Sequence, residues 1–525
     1  MIDVEVFVQS VTAQVKPLYR AYSLAEWEAA TQGTAEANAK TQEAQAAYMR
    51  FWSDPQRYAN ARQFHEARVT RDPLLARQLK LIYLAATENQ QDEATIQKLT
   101  ALEADIRAEY YNYRGEVRGR RLSDNELDDI LKKSTDAQLV RDAWEASKRV
   151  GAQVAGKVRE LAKVRNAAAQ QQGFRDYFQR QLTLSEIDEA ELLTLFDRLE
   201  NATTGPFMQL KAEIDQARAK RFGIKVSDLR PWHYGDRFFQ EAPDMGDLDL
   251  DRFFADKDPV ALSTRTYDDL GMEVRDILAR SDLYARDGKD QHAFCTHIDR
   301  EGDVRTLNNL QPNASWNGTL LHELGHGVYD KYIDLSLPWL LRTPPHTLST
   351  EAIALMMGSL VNDAEWLRKY AGLSAAEAKR VAALAAARER AAQLIFTRWV
   401  LVMTNFERAM YANPDRDLDT LWWDLVEKYQ LLTRPEGRQA PDWAAKVHVA
   451  LFPVYYHNYE LGHLVSAQLQ NHLKRHAGGL VGKKKAGVWL RKNYFASGAK
   501  EDWAAHVQTA TGEPLNPQYF VDRLG

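Results

Sequence analysis

The stretch LLHELGHGVYD, residues 320–330, holds His322, Glu323 and His326 in the order His-Glu-x-x-His. On a helix, positions i and i+4 lie on one face, so both imidazoles can reach a single ion. Glu323 follows the first of them and points near the same space. Zinc in hydrolases takes three protein ligands and keeps one position open for water, and a neighbouring glutamate takes that water's proton. The motif is short. With 13 histidines in 525 residues, chance produces it in roughly a few per cent of such chains, so its surroundings decide its weight.

A third ligand is needed. LSTEAIALMMGSLVND (348–363) reads as a second helix with Glu351 in its first turn. A carboxylate on a neighbouring helix completes the metal set in one large class of zinc peptidases. The bland reading of Glu351 is a helix-start acid favoured by the dipole, with Thr350 or Ser349 as cap. The motif upstream tips the balance toward a ligand. Asp330 and Asp334 lie on the histidine helix or just past it, and His346 lies in a Pro-rich loop; these are weaker candidates.

Such side chains need rigid elements to hold them. Residues 24–70 are rich in Ala, Glu and Gln, and 93–113 carry apolar residues at three- and four-residue spacing, as an amphipathic helix does. A long Ala- and Arg-rich helical stretch covers 374–411. Strand signals are few, and DVRTLNN (303–309), just before the histidine helix, is one candidate. Loops are expected at 231–236, 241–251, 341–349, 433–441 and 478–487. No internal repeat is present. The expected fold is mainly α, one large multi-helix domain over 1–525 with two lobes around a deep cleft and very little β.

The composition excludes several classes. The net charge is −5 with 27% charged residues, and no basic face of the kind nucleic acid needs is evident. The densest basic run, GKKKAG (482–487), reads as a solvated loop. No apolar run approaches a membrane span. The single Cys295 excludes an intrachain disulfide. The N-terminus MIDVEVFVQSV lacks a basic region followed by an apolar stretch, so it does not read as a signal peptide. The protein is therefore expected in the cytoplasm, or in the periplasm or outside the cell if a signal segment had been removed. The sequence sets no oligomeric state.

At this point the chain resembles the angiotensin-converting-enzyme-like peptidases, helical zinc peptidyl-dipeptidases. HELGHGVY followed by TEAIALMMGSL is similar to that family's zinc helix and glutamate-ligand helix. SLAEWEAATQGTAEAN, PWHYGDRFFQ, HAFCTHID, LWWDLVEKYQ, DWAAKVHVALFPVYYHNYELG and DWAAHVQTATGEPLN resemble further blocks in the same order. By matched position, the resemblance implies that Lys446, Gln240 and Tyr456 hold the substrate's free C-terminal carboxylate. It implies that His448 and His292 bond substrate carbonyls, that Ala293 pairs through its main chain, and that Tyr459 steadies the oxyanion. The chemistry is consistent: one cation with neutral donors suits a carboxylate, and a phenol suits an oxyanion.

The departures also matter. Asn458 stands where the family carries an arginine that helps bind chloride, so chloride activation is not carried over. An extra residue between His448 and Tyr456 leaves the register of Tyr455 against Tyr456 open. Leu355 replaces an aspartate that orients a zinc histidine, so another group must do that work. The resulting expectation is a peptidase with one Zn2+ per chain, in which Glu323 is the general base and short peptides lose C-terminal dipeptides. The alternatives are a zinc oligopeptidase or carboxypeptidase, a dead peptide-binding scaffold, and a purely structural helical protein.

Overall fold

The computed structural model describes residues 3–243 and 249–524. Helices take up 71% of the chain, and the described residues contain two small two-stranded sheets, so the mainly α expectation is borne out. The loop expected at 241–251 lies partly, at 244–248, outside the described residues.

Local signals act where the sequence places them. Asp92 caps the helix Glu93–Asn112 by accepting the Thr95 N–H. The Ala- and Arg-rich stretch forms one 38-residue helix, Ala375–Ala412. The region 24–70 belongs to three helices, Val4–Gln32, Ala35–Trp52 and Pro55–Glu66. Gly33, at φ 64°, ends the first, and Asp54 with Pro55 starts the third. GKKKAG corrects the sequence reading, because a helix, Lys484–Leu490, begins inside it. Gly487 there is buried, and a Cβ on it would lie 1.9 Å from the Leu270 carbonyl oxygen. Close packing, which a charge count cannot show, ordered that segment.

The chain forms two compact units. The first comprises Met1–Gln90, Leu248–Ala385 and Leu461–Phe520. Phe7, Val11, Val15, Trp52, Leu79 and Ile82 build a core among its N-terminal helices. A smaller cluster of Trp27, Ile298 and Leu307 ties the first helix to a hairpin. That hairpin pairs strand Phe294–His297 with Val304–Leu307, the expected strand, in antiparallel register. The histidine helix, Ala314–Lys331, follows it and packs on the glutamate helix, Thr347–Gly358.

The second unit comprises Gln91–Asp247, Ala386–Glu460 and Val521–Gly525. Its spine is the long helix Ala137–Gln171, which buries Trp144, Val154 and Leu161. That helix backs a single 3-10 turn, Asp442–Ala445, immediately before Lys446. A Cβ on Gly151 would lie 2.3 Å from the Pro441 carbonyl oxygen, so only glycine allows this approach.

Candidate active site

The histidine helix starts cleanly because Asn313 accepts the Trp316 N–H at 2.8 Å. The glutamate helix is capped by His346, whose Nδ1 accepts the Leu348 N–H at 3.1 Å. His346 is thus a cap and not part of the metal set. Glu351 lies beyond the first turn, and neither Thr350 nor Ser349 is the cap, so the helix-start reading of this acid does not hold.

The two helices approach backbone to backbone. A Cβ on Gly325 would stand 3.0 Å from Ala354 Cα, and one on Gly358 would stand 3.2 Å from His322 Cβ. This closeness lets short side chains converge. His322 Nε2 is 3.7 Å from Glu351 Oε1, and His326 Nε2 is 3.5 Å from Glu351 Oε2. The three donor atoms lie within 4.8 Å of one another, the one such metal-sized group among the described residues. Zinc bonds of about 2.0–2.1 Å in a tetrahedron put donors about 3.3–3.4 Å apart, so the spacing fits zinc.

The other ring nitrogens are held too. His326 Nδ1 hydrogen-bonds Thr350 Oγ1 at 2.8 Å. The His322 ring bonds the main chain of Ala354. These two partners take over the orienting work that Leu355 cannot do, and they leave each Nε2 facing Glu351. Burial, helped by His326, pulls His322 down to about 4, so it is neutral and able to ligate. Glu351 is held below the usual carboxylate range: burial pushes its carboxyl up, but the two histidines and His463 outweigh that. Gly462 passes close over its stem, where a Cβ would be 3.5 Å from Glu351 Cγ.

Glu323 is 6% exposed, and its carboxyl makes no hydrogen bond among the described residues. Burial pushes its carboxyl up to about 7, with His326 opposing and Glu351 reinforcing. An acid held this way keeps both oxygens available to a water molecule.

The second unit gathers another set. Lys446 Nζ donates to Gln240 Oε1 at 2.7 Å, and the Tyr456 hydroxyl reaches the same oxygen at 3.4 Å. Tyr456 is buried beside Gln240, whereas Tyr455 is exposed. Lys446 is 7% exposed and forms no ion pair among the described residues, although Asp236 acts on it electrostatically. Burial pulls its ammonium down to about 8. The rings of Phe238, Trp399 and Tyr456 surround it at 5.2–5.7 Å and relieve part of that cost. Asp442 anchors the turn beneath it through both nitrogens of the Arg438 fork, each at 2.6 Å.

The His448 ring packs tilted against that of Tyr456, with centroids 4.9 Å apart. Its Nδ1 is buried without a partner among the described residues, and burial, then Lys446, holds the ring near 4. Tyr459 is 37% exposed, with its ring 5.7 Å from that of Tyr456.

In the first unit, His292 is exposed and its N–H donates to Asp290. Ala293 stands one residue before strand Phe294–His297. The Ile298 N–H bonds Asp303, which sets the ladder's phase. Residues of odd number on this strand therefore turn their main chain away from the partner strand, and Tyr19 meets His297 on that side at 3.0 Å. Sequence reasoning missed Thr350, Ala354 and the helix-crossing glycines. The glycines within HELGH and MMG were the available signal.

Comparison with known proteins agrees. The family model described as peptidase family M3 matches residues 130–525, a span that includes every candidate site residue. The model described as angiotensin-converting enzyme matches residues 2–225. Both are gluzincin zinc metallopeptidase families, so the resemblance read from the motifs is borne out. No curated protein matches the chain.

Proposed function

We propose that this chain, which belongs to peptidase family M3 and is a zinc metallopeptidase, cuts short peptides and releases dipeptides from a free C-terminus. The observation that carries the hydrolytic reading is the convergence of His322, His326 and Glu351 beside an unbonded Glu323. Zinc held by these three ligands, one ion per chain, supplies Lewis acidity. Glu323 takes the proton of the attacking water on its carboxylate and passes it to the leaving amine. Tyr459 and His448 donate hydrogen bonds to the developing oxyanion. His292 bonds substrate carbonyls, and Ala293 pairs with the peptide through its main chain.

Dipeptide release rests on Lys446. A buried ammonium whose hydrogen-bond partner is a neutral amide calls for an anion. The substrate's terminal carboxylate supplies one, with Gln240 and Tyr456 as neutral donors. Two measurements test the proposal. E323Q should keep its zinc and lose turnover by about 10²–10⁴-fold; unchanged turnover removes Glu323 as the base. C-terminal amidation of a peptide should lower kcat/KM sharply, with dipeptides as products from the free acid. Equal cleavage of acid and amide would overturn the dipeptide reading in favour of internal cutting, and release of single residues would make it a carboxypeptidase.

A further inference from the structure

The loop between helix Val447–Leu451 and helix Tyr456–Ala477 carries an unusual residue. Val454 has φ 56°, a left-handed conformation that a β-branched side chain pays for in energy. Nothing exposed compensates, because Val454 is 5% exposed. Its N–H donates to Glu407 Oε1 at 2.8 Å, and Glu407 on helix Ala375–Ala412 is itself 2% exposed. Among the described residues Glu407 makes no hydrogen bond with Lys446, Gln240 or Tyr456, although it lies near enough to Tyr456 to act on its phenol electrostatically. A buried carboxyl is costly to keep, and burial pushes this one up to about 8. The bond it makes ends two residues before Tyr456, at the point where the helix carrying that tyrosine begins.

We propose that Glu407 and Val454 form a positioning device that sets the phase of this helix start and so decides that Tyr456, not Tyr455, faces Gln240. The inference rests on the reading of Lys446, Gln240 and Tyr456 as the carboxylate-binding group. One turn of helix has 3.6 residues, so a one-residue change in the loop rotates the first turn by about 100°. That rotation would take Tyr456 off Gln240 and bring the exposed Tyr455 round. Pinning the Val454 N–H in a conformation it would otherwise leave prevents the slip. Glu407 is thus a positioning residue that acts through the loop.

The test compares hydrolysis of one peptide as free acid and as amide. Wild type should prefer the acid, and the absence of any preference defeats the underlying carboxylate reading instead of this one. E407L should lose most of that preference through a raised KM for the acid, with zinc content unchanged. E407Q, whose side-chain carbonyl can still accept the N–H, should restore it. V454P can neither donate nor adopt positive φ, and it should lose the preference in the same way with the interior acid intact. V454G, which adopts the turn without strain, should keep it. A stability role alone would lower the unfolding temperature of E407L and leave the acid-to-amide ratio where it was. A wild-type ratio in E407L, or in V454P if E407L does not fold, overturns the proposal.

Discussion

The contact between Gly325 and Ala354 supports a quantitative expectation for G325A. Two effects oppose each other. Alanine is the better helix former by about 1 kcal/mol, so the change should stabilise an isolated helix. In the folded protein the new Cβ would meet Ala354 Cα at 3.0 Å, Ala354 N at 3.3 Å and the Ile353 carbonyl oxygen at 3.4 Å. Carbon atoms prefer about 3.5–4.0 Å, so the helices must part by about 0.5–1 Å at this point. These are main-chain atoms, so no rotamer can relieve the contact. Overpacking of this kind costs about 1–3 kcal/mol, which offsets or exceeds the helix gain.

The effect on metal binding should be clearer than the effect on stability. Glu351 sits one turn from Ala354, whose main chain also holds the His322 ring. Zinc sites tolerate distance errors of about 0.2 Å, less than the expected displacement. Zinc affinity should therefore fall by at least about 10-fold, comparable to losing a partner behind a metal ligand. Competition with a chromogenic chelator measures the affinity, and thermal unfolding of the metal-free protein measures the packing cost. Wild-type affinity together with a metal-free form more stable by about 1 kcal/mol would refute the reasoning, since helix propensity alone would then account for the change.

Other outcomes are expected at neighbouring positions. T350V keeps the shape of Thr350 but removes the hydroxyl behind His326, so zinc affinity should drop about 10–100-fold in an otherwise folded protein; the same chelator competition checks it. Exhaustive chelation should abolish hydrolysis, and restoring one zinc per chain, counted by elemental analysis, should return it. K446M replaces the buried ammonium with an apolar chain among aromatic rings. A lost charged hydrogen bond is worth about 1.5–3 kcal/mol, so KM for free-acid peptides should rise about 10–150-fold while the unfolding temperature holds or increases; steady-state kinetics on the acid and amide pair would expose an unchanged KM.

Much of this protein is legible in its sequence, because the relevant physics is local. Two histidines four residues apart share a helix face in any context, and caps, glycine stops and the helical period depend only on near neighbours. The helical class, the strand before the histidine helix, and His322, Glu323 and His326 as a unit follow from that. Glu351 was reachable only by combining two segments, since its alternative as a helix-start acid is equally local.

What only the tertiary structure decided depends on residues far apart in the chain. Gly325 stands inside HELGH, but nothing local says what it will meet, and its approach to Ala354 sets how near the imidazoles come to the carboxylate. Thr350 reads as a possible cap and proves instead to hydrogen-bond the His326 ring. Tyr455 and Tyr456 are equivalent in the sequence, and only the contact of Tyr456 with Gln240, 216 residues away, separates them. Which side chains can do chemistry is written in residue type and spacing. Whether they meet within the few tenths of an ångström that metal and carboxylate binding demand is set by close packing between distant segments, which no short-range pattern encodes.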